Sequence, residues 1–492
     1  MLSKSRKSHR YETILLDNLI EQDHLLRKID RYIDFSFIHE KCKPLYCPDN
    51  GRPAIDPEIL FKMLFLGYLY GIPSERKIAE EVRYNVAFRW FLGYSLEDKT
   101  PDASTIWQNR SRRFKQTDIA QEIFDEIVRQ AIEKKLVDGK VLYSDSTHLK
   151  ANANKKKFSI EQVKVEPKEY IRDLEAAVNE ERLANGKKPL RDRIDDDDDT
   201  GAGHDDMDSA SGSGETKDRK ISHTDPESGY MCRTEKEKGF MYLDHRTVDA
   251  AHNIITDVHV TPGNVSDTDP YISRLDVQLE KFGFEVKAVG LDAGYLSAPI
   301  CKALADRKIK GAIGYRRWNS ASGKFHKSQF TFIRESNQLC CPNHCFLNYK
   351  NTSREGTSAY VANPADCSGC PQKERCLPGH NTFRTVYRHV WEVHREDVIR
   401  FTKSDKGKRI YKRRKETIER SFADSKGKHG LRYARYRGVR GVLEQCLLTA
   451  AAQNIKKIAT MMAKKDSSML PDGPLLFRFF IRTLKFSPGF AI

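Results

Sequence analysis

The first quarter of the chain carries apolar residues at helical spacing. Over residues 56–93 apolar side chains recur every three or four positions, and Gly71 and Pro73 interrupt the pattern. Ser74 suits the N-cap of the second helix, so the pattern predicts two helices joined by a short turn, as in a helix-turn-helix. Further amphipathic helices are predicted before residue 135. We therefore expect an all-α, helix-turn-helix-like domain over residues 1–135.

The pattern then changes to strands that alternate with helices. A single strand and a hairpin come first, followed by a helix, a strand, a second helix and a last strand. Strands that begin antiparallel and then alternate with helices are typical of a ribonuclease-H-like core, with an ordinary mixed α/β domain as the alternative. The predicted strands are Lys140–Asp145, Gly239–Asp249, Asn253–Val260, Val286–Leu291 and Ile309–Tyr315, and the predicted helices are Asp267–Gly283 and Ala298–Arg307.

Two insertions interrupt the predicted core. The first is a charged helical stretch and then an acidic run rich in Gly and Ser, whose low apolar content predicts a disordered linker. The second holds six of the eleven cysteines. We expect an α+β protein, with the mixed α/β core following the all-α domain. The predicted segments are 136–154, 219–315 and 381–465 for the core, 155–218 and 316–380 for the insertions, and 466–492 for a tail.

The positive charge of the chain is concentrated in one segment. The 492 residues include 85 Lys and Arg against 69 Asp and Glu, a formal net charge of +16 with neutral His. Residues 402–440 hold fifteen Lys and Arg against four acids, a surplus of +11, whereas residues 195–215 carry −9. Because Lys and Arg that neutralise phosphates release counterions, this surplus indicates a polyanionic partner; a basic surface kept for solubility is the alternative.

Composition excludes two broad classes of protein. With 39% hydrophobic and 10% aromatic residues, the chain can form sizeable cores and is not a wholly disordered protein. No run approaches the ~18 consecutive apolar residues of a membrane span, and the first residues lack the apolar region of a signal peptide. We therefore expect a cytosolic protein with no membrane partner.

Acidic residues follow two of the predicted strands. Asp145 ends the first strand of the core and Asp292 follows the fourth, and these strands are neighbours in the expected topology. An acid after a strand is usually a turn former or helix cap, but two at neighbouring strand ends can bind Mg²⁺ at one edge of the sheet. A third ligand is expected from the basic segment. The candidate is Glu419, which shares a helix face with Lys426, and Glu416 is the alternative.

Three carboxylates beside dense positive charge point to phosphoryl chemistry. Two divalent ions roughly 3.5–4 Å apart can stabilise the attacking and leaving oxygens of an in-line displacement. Tyr411, Arg414 and Lys426 would then contact the phosphodiester backbone. For Glu419 taken alone, i,i+4 pairing on a solvated helix is the ordinary role. The basic residues that complete the predicted DNA-binding set are Arg432, Arg435 and Arg437.

The cysteines of the second insertion have the spacing of a metal site. Cysteines of a cytosolic chain are expected to be reduced, which disfavours a disulfide framework. The pair Cys367 and Cys370 is followed by Cys376 and preceded by the segment CCPNHC at residues 340–345. This arrangement predicts a structural Zn²⁺ site with Cys341 as the fourth ligand. Unligated buried thiols are the alternative, and the substitute ligands are Cys340, His344 and Cys345.

These segments resemble bacterial insertion-sequence transposases with a DDE catalytic triad. The resemblance rests on the strings YSDSTHLKANANK, GFMYLDHRTVDAAHNIITDVHVTPGNVSD, GLDAGY and KETIERSFADSKGKHGLRYARYRG, and near the N-terminus on GRPAIDPEILFKMLFLGYLYGIPSERKIAEEV. Together they span most of residues 40–465. The chain looks most similar to the eleven-eighty-two group, which is related to transposases with a Tyr–Arg–Glu–Lys signature. That signature usually has Arg four residues before Glu, where this chain has Lys415, and Arg414 lies one position earlier.

The resemblance implies a function as well as a fold. It implies a ribonuclease-H-like core in which Asp145, Asp292 and Glu419 hold two Mg²⁺ or Mn²⁺ ions, and an N-terminal DNA-binding domain. The expected partner is double-stranded DNA, as terminal inverted repeats and as target, bound by a homodimer associated with the bacterial nucleoid. The expected reaction is cleavage at the element's ends followed by strand transfer. A non-catalytic DNA-binding regulator and a metal-dependent nuclease are the alternatives.

Overall fold

The computed structural model describes residues 15–47, 54–164, 170–190, 216–232, 237–315, 323–377 and 381–468. These residues form two compact units. The first is drawn from Met1–Leu136, Asp424–Leu431 and Leu447–Ile492, and the second from Val137–Ala423 and Arg432–Cys446. Within the described ranges no helix has the length and apolarity needed to cross a membrane. The acidic run, for which we predicted a disordered linker, and most of the predicted C-terminal tail lie outside the described residues.

The described N-terminal part of the first unit is helical, as predicted. Ser74 caps the helix that it precedes by accepting a hydrogen bond from the Lys77 amide, which confirms the predicted N-cap. Gly67 permits the close packing of two helices, since a Cβ there would lie 2.4 Å from Cδ1 of Ile78. The helices are α1 Leu16–Leu19, α2 Leu25–Tyr32, α3 Phe37–Cys42, α4 Pro57–Leu69, α5 Glu75–Tyr84, α6 Val86–Leu92, α7 Ala103–Gln108 and α8 Ile119–Glu133.

The second unit contains thirteen strands in its described residues. The strands are β1 Val141–Lys150, β2 Phe158–Lys164, β3 Thr216–Ser222, β4 Gly229–Met231, β5 Gly239–Asp249, β6 Ile255–Pro262, β7 Ala288–Leu291, β8 Lys310–Ile313, β9 Thr331–Ile333, β10 Gln338–Cys340, β11 Phe346–Thr352, β12 Thr357–Ala362 and β13 Thr385–His389. Its helices are α9 Ile171–Ala184, α10 Tyr271–Phe282, α11 Ala298–Asp306, α12 Pro364–Ser368, α13 Lys373–Cys376, α14 Glu392–Lys403 and α15 Asp405–Lys412. Two further helices, α16 Ile418–Lys428 and α17 Val439–Ser468, contribute residues to both units.

A six-stranded mixed sheet forms the centre of the second unit. The strand β1 lies between β5 and β7, and β8 follows β7 at one edge. The pairs β1–β7 and β7–β8 are parallel, whereas β5 is antiparallel to β1, β4 and β6. The antiparallel hairpin and the two parallel strands were predicted from the sequence. One face of this sheet packs on α10 and α11 through an apolar cluster that includes Leu142, Leu275 and Leu304.

Both predicted insertions differ in part from the structure. In the first, α9 agrees with the predicted helical stretch, but the strands β2 and β3 were not predicted. These strands are anchored by the ring of Phe158, which lies 6.5 Å from the rings of Tyr230 and Phe240. In the second, β9–β13 form a separate antiparallel sheet. The prediction assigned β13 to the core, whereas it pairs with β12 in this second sheet.

The C-terminal part of the predicted core divides between the two units. We expected residues 381–465 to belong to the core, but 424–431 and 447–468 cluster with the first unit. Within that unit the buried ring of His429 hydrogen-bonds through Nδ1 to the carbonyl oxygen of Tyr68, at 2.9 Å. The basic segment before Glu419 is not one continuous helix. Ser404 ends α14 and caps α15, and a 3₁₀ turn at Arg413–Glu416 precedes α16.

Candidate active site

The two strand acids lie side by side on the central sheet. In the parallel ladder Tyr143 of β1 is opposite Gly290 of β7, and Asp145 and Asp292 each stand two residues further on. Because side chains alternate along a strand, both carboxylates share one face at one level. This face is opposite to the one that carries Leu142 and the apolar cluster. The register thus agrees with the prediction that the two acids meet.

The sequence predicted that the first strand ends at Asp145, and this prediction is wrong. The strand β1 continues to Lys150 because β5 pairs with it along this length, with Asp145 opposite Arg246. Asp292 does follow its strand, and its side chain makes no capping hydrogen bond to the 3₁₀ turn after it. The usual turn or cap role of such an acid therefore does not account for Asp292.

One guanidinium group contacts three acids. Arg414 Nη2 lies 2.6 Å from Oδ2 of Asp145, and Nη1 lies 3.4 Å from Oδ1 of Asp292 and 3.9 Å from Oε1 of Glu419. The Arg414 side chain is only 6% exposed, whereas those of Asp145, Asp292 and Glu419 are 21%, 54% and 47% exposed. The structure therefore brings the three predicted acids together around one buried cation.

A local break in the helix explains why Arg414 takes this position. In a continuous α-helix the residue four before Glu419 would share its face, and that residue is the exposed Lys415. Here Arg413–Glu416 form a 3₁₀ turn, and Thr417 has φ −110° and ψ −91°, outside the helical region. Because of this turn, the residue that faces Glu419 is Arg414, five positions before it, and not Lys415, four positions before it. The chain thus has an Arg beside Glu419 although its spacing differs from that of the Tyr–Arg–Glu–Lys signature. The rival acid Glu416 is exposed, and its backbone oxygen accepts a hydrogen bond from Asn253.

Two glycines leave room for the residues around the acids. A Cβ at Gly290 would lie 2.5 Å from the ring of Tyr143 and 3.6 Å from Cγ of Arg414. A Cβ at Gly314 would lie 2.6 Å from the hydroxyl of Tyr411. The Tyr411 ring lies 5.7 Å from Cζ of Arg414, within the range of a cation–π contact. Of the predicted DNA-contacting residues, Tyr411 and Arg414 thus lie beside the acids.

Burial makes the charge of Asp145 costly. It raises the pKa of the Asp145 carboxyl to about 6, although Arg414 and the Ser146 amide act to lower it. The nearby carboxylates of Asp292 and Asp267 raise this pKa further. A further cation beside Asp145 would favour the ionised form of its carboxyl.

The other predicted DNA-contacting residues lie further along the chain. Lys426 is in α16, in the stretch that belongs to the first unit. The segment that carries the three remaining arginines runs beside the end of β1, where the Ala434 amide donates to the Lys150 oxygen at 2.7 Å. Arg437 Nε donates to the backbone oxygen of Asn152 at 3.2 Å. Arg432 and Arg437 are exposed and Arg435 is half-buried.

Sequence reasoning missed two features of this face. Asp267 is close enough to raise the pKa of Asp145, and its buried Oδ1 has no hydrogen-bond partner in the described part of the chain. Asp244 and Arg246 form a buried ion pair on β5, with Arg246 Nη1 3.4 Å from Oγ of Ser421 in α16. The available signal was the charged residues in the otherwise apolar strand β5, every residue of which is buried.

The three acids are the kind of ligand that a hard divalent cation prefers, but their oxygens are too far apart to bind one ion together. Among the described residues no three His, Cys, Asp or Glu side chains stand close enough to hold a metal ion. At the acids the guanidinium of Arg414 contacts all three carboxylates. Three carboxylates converging on one positive charge, with the orphaned oxygen of Asp267 nearby, are the donor set that Mg²⁺ prefers.

A second candidate metal position lies beside the antiparallel sheet β9–β13. Five cysteines line one cavity there, with Asp366 at its side. The Cys345 amide donates a hydrogen bond to Sγ of Cys341 at 3.4 Å. No disulfide links the cysteines of the described residues. Thiols in one cavity are a donor set for Zn²⁺, and the cysteines that line it are Cys341, Cys345, Cys367, Cys370 and Cys376.

Comparison with known proteins gives two family matches. Residues 14–112 match a family described as a transposase domain, DUF772, and residues 340–459 match a family described as a transposase DDE domain. The second match includes Glu419, Arg414 and the cavity cysteines, and it begins after Asp145 and Asp292. None of the curated proteins matches the chain. The two matches do not distinguish the eleven-eighty-two group from its relatives, but they confirm that the chain is similar to insertion-sequence transposases of the DDE type.

Proposed function

We propose that this protein cuts DNA at the terminal inverted repeats of its insertion sequence and joins the freed ends to target DNA. The observation that carries the proposal is the contact of Asp145, Asp292 and Glu419 with the single guanidinium of Arg414. The strand order, with β1 between antiparallel β5 and parallel β7, supports a ribonuclease-H-like core. The family matches support the reaction class.

The chain's residues would divide the work of phosphoryl transfer. Asp145, Asp292 and Glu419 would hold two Mg²⁺ or Mn²⁺ ions, which when bound stabilise the attacking and leaving oxygens. Water attacks the phosphorus at each end and the 3′-oxygen leaves, so that a 3′-hydroxyl and a 5′-phosphate form. That hydroxyl then attacks a target phosphorus and releases a target 3′-hydroxyl. No side-chain nucleophile is needed.

Basic and aromatic side chains would position the DNA near the acids. Arg414 has a planar fork that matches two phosphate oxygens, and Tyr411 lies beside it. Further along the chain, the other proposed phosphate contacts are Lys426, Arg432, Arg435 and Arg437. Contacts of this kind fix the register of the protein on the duplex and make binding sensitive to salt.

The first unit would recognise the terminal repeats through a helix-turn-helix-like pair. The helix α5 buries Ile78 and Val82 on one side, and its Arg76, Arg83 and Tyr84 are exposed. Exposed basic and aromatic residues on one short helix suit entry into the major groove. Because the reaction needs two ends, a homodimer would assemble on DNA, and the bound protein would associate with the bacterial nucleoid.

The Asp145→Asn variant tests the proposed reaction. Loss of one carboxylate charge is expected to abolish Mg²⁺-dependent end cleavage and to leave end binding largely intact, because Asp145 is proposed to hold metal and not to contact the DNA. The substrate is linear DNA that carries the sequences flanking the reading frame, and the products are resolved on denaturing gels. Asp138→Asn, an exposed acid just before β1, is the matched control and is expected to cut normally.

Each outcome of this experiment separates the candidate functions. Cleavage by Asp145→Asn at the wild-type rate would overturn the assignment. Binding without cleavage by the wild-type protein would favour a non-catalytic regulator. Cleavage without joined products would favour a metal-dependent nuclease.

We also propose that the cysteine-lined cavity holds one structural Zn²⁺ ion, with Cys341, Cys367, Cys370 and Cys376 as ligands. Purified protein is expected to contain one zinc per chain by elemental analysis, and Cys370→Ser to lose it and melt at a lower temperature. The matched control is Cys232→Ser, an exposed thiol of the same unit outside the cavity. Equal zinc contents in the two variants would contradict this site.

A further inference from the structure

Arg414 is held almost entirely by the three acids. Its guanidinium contacts Asp145, Asp292 and Glu419, and its side chain is 6% exposed. The remaining donor, Nε, is buried and has no hydrogen-bond partner in the described part of the chain. If the carboxylates bind a different cation, the guanidinium therefore loses the strong acceptors that hold it in place.

The position of Arg414 is incompatible with a cation bound to the same carboxylates. Carboxylate oxygens bind Mg²⁺ at about 2.0–2.1 Å, and the cation sits where the carboxylates converge. That space is taken by a guanidinium 2.6 Å from an Asp145 oxygen. Two positive charges in contact with the same carboxylates also repel each other.

We propose that Arg414 is a positioning residue that holds the three carboxylates together in the free protein and leaves them when divalent cation and DNA bind. This inference rests on the proposed function. Without a cation between them, three carboxylates at this distance would repel one another and the site would open. Arg414 keeps them converged, at the cost of blocking the metal position.

DNA supplies the acceptor that lets Arg414 leave. A phosphate matches the planar fork of the guanidinium as well as a carboxylate does. A phosphodiester near the acids would thus accept the hydrogen bonds of the Arg414 guanidinium. The carboxylates would then be free to bind the metal ion. It follows that the free protein binds divalent cations weakly and that DNA raises their affinity, which restricts cleavage chemistry to the DNA-bound protein.

The test measures Mn²⁺ binding to the full chain without any cleavage. Free Mn²⁺ is titrated by electron paramagnetic resonance against the wild-type protein and against Arg414→Gln and Arg413→Gln. Arg413 is the matched control because it lies in the same turn but donates to the backbone oxygen of Ala250. Arg414→Gln is expected to bind Mn²⁺ at least about tenfold more tightly than the wild type, since one repelling charge is removed. Arg414→Lys is expected to lie between them, and Arg413→Gln to match the wild type.

A second arm adds duplex DNA that carries the terminal sequence. DNA is expected to tighten Mn²⁺ binding by the wild type about tenfold and that by Arg414→Gln much less, because no guanidinium remains to be removed. Equal Mn²⁺ affinity in the wild type and Arg414→Gln, or no effect of DNA on the wild type, would overturn the inference alone. Absence of Mn²⁺ binding in every protein, with or without DNA, would overturn the proposed function as well. If Arg414→Gln fails to fold, Arg414→Lys and the effect of DNA on the wild type still decide the question.

Discussion

The Glu419→Gln variant is expected to lose Mg²⁺-dependent end cleavage by on the order of 10³-fold, and Glu416→Gln to retain it. Both substitutions remove one carboxylate charge and keep the side-chain shape. The two acids differ in position. The carboxylate of Glu419 lies 3.9 Å from the Arg414 guanidinium, and no such contact joins Arg414 to the Glu416 carboxylate in the described part of the chain. Glu416 is exposed in the 3₁₀ turn that precedes α16. The pair of variants therefore tests which of two neighbouring acids completes the site.

Single-turnover cleavage of terminal DNA in Mg²⁺ measures this effect, because it reports the chemical step without product release. Thermal melting of both variants in the absence of metal shows whether either loss is a folding defect. A defect confined to Glu416→Gln would identify Glu416 as the third acid. It would contradict the proposal that the third acid is the one in contact with Arg414. Equal loss in both variants would mean that the charge of this turn, rather than one ligand, sets the rate.

The meeting of the two strand acids was predictable because it depends on short-range rules. An apolar run followed by an acid in the first and fourth predicted strands places two carboxylates on one face by alternation and strand order, even though β1 continues past Asp145 to Lys150. Asp145 and Asp292 obey this rule, with Tyr143 and Gly290 paired two residues earlier. The N-cap Ser74 was predictable for a similar reason, since capping depends on a few neighbouring residues.

Features that depend on tertiary contacts were not predictable from the pattern. The non-helical backbone of Thr417 changes by one position which residue before Glu419 faces it. The sequence pattern of a helix does not reveal such an interruption. The strand β13 has the same apolar alternation whichever sheet it joins, so its partner β12 was not apparent. A charged residue in a strand also predicts an exposed edge, yet Arg246 is buried.

The Arg246→Met variant is expected to lower the free energy of unfolding of the protein by about 3–5 kcal/mol. Arg246 donates through Nε and Nη2 to both carboxylate oxygens of Asp244, at 2.7–3.1 Å. Both side chains are nearly inaccessible, at 0% and 1% exposure. Removal of Arg246 takes its charge-assisted hydrogen bonds away from a buried carboxylate, and the cost of that loss exceeds what the pair gained when it formed. Urea unfolding followed by circular dichroism measures the change.

The same pair connects the sheet to α16, the helix that carries Glu419. Arg246 Nη1 lies 3.4 Å from Oγ of Ser421, and Cζ lies 5.1 Å from the ring of Phe422, both in α16. We therefore expect Arg246→Met to lose end cleavage beyond its loss of stability, because Glu419 on that helix is no longer held in place.

The exposed pair Lys302–Asp306 is the control for the Arg246 experiment. Lys302→Met is expected to change the free energy of unfolding by less than about 1 kcal/mol, since exposed ion pairs contribute little. The double variant Asp244→Leu with Arg246→Met is expected to recover part of the stability, because no charge remains buried alone. If Arg246→Met is as mild as Lys302→Met, the buried pair is not what fixes α16 on the sheet. If the double variant recovers stability but not cleavage, the pair is retained for the position of Glu419 rather than for the stability of the fold.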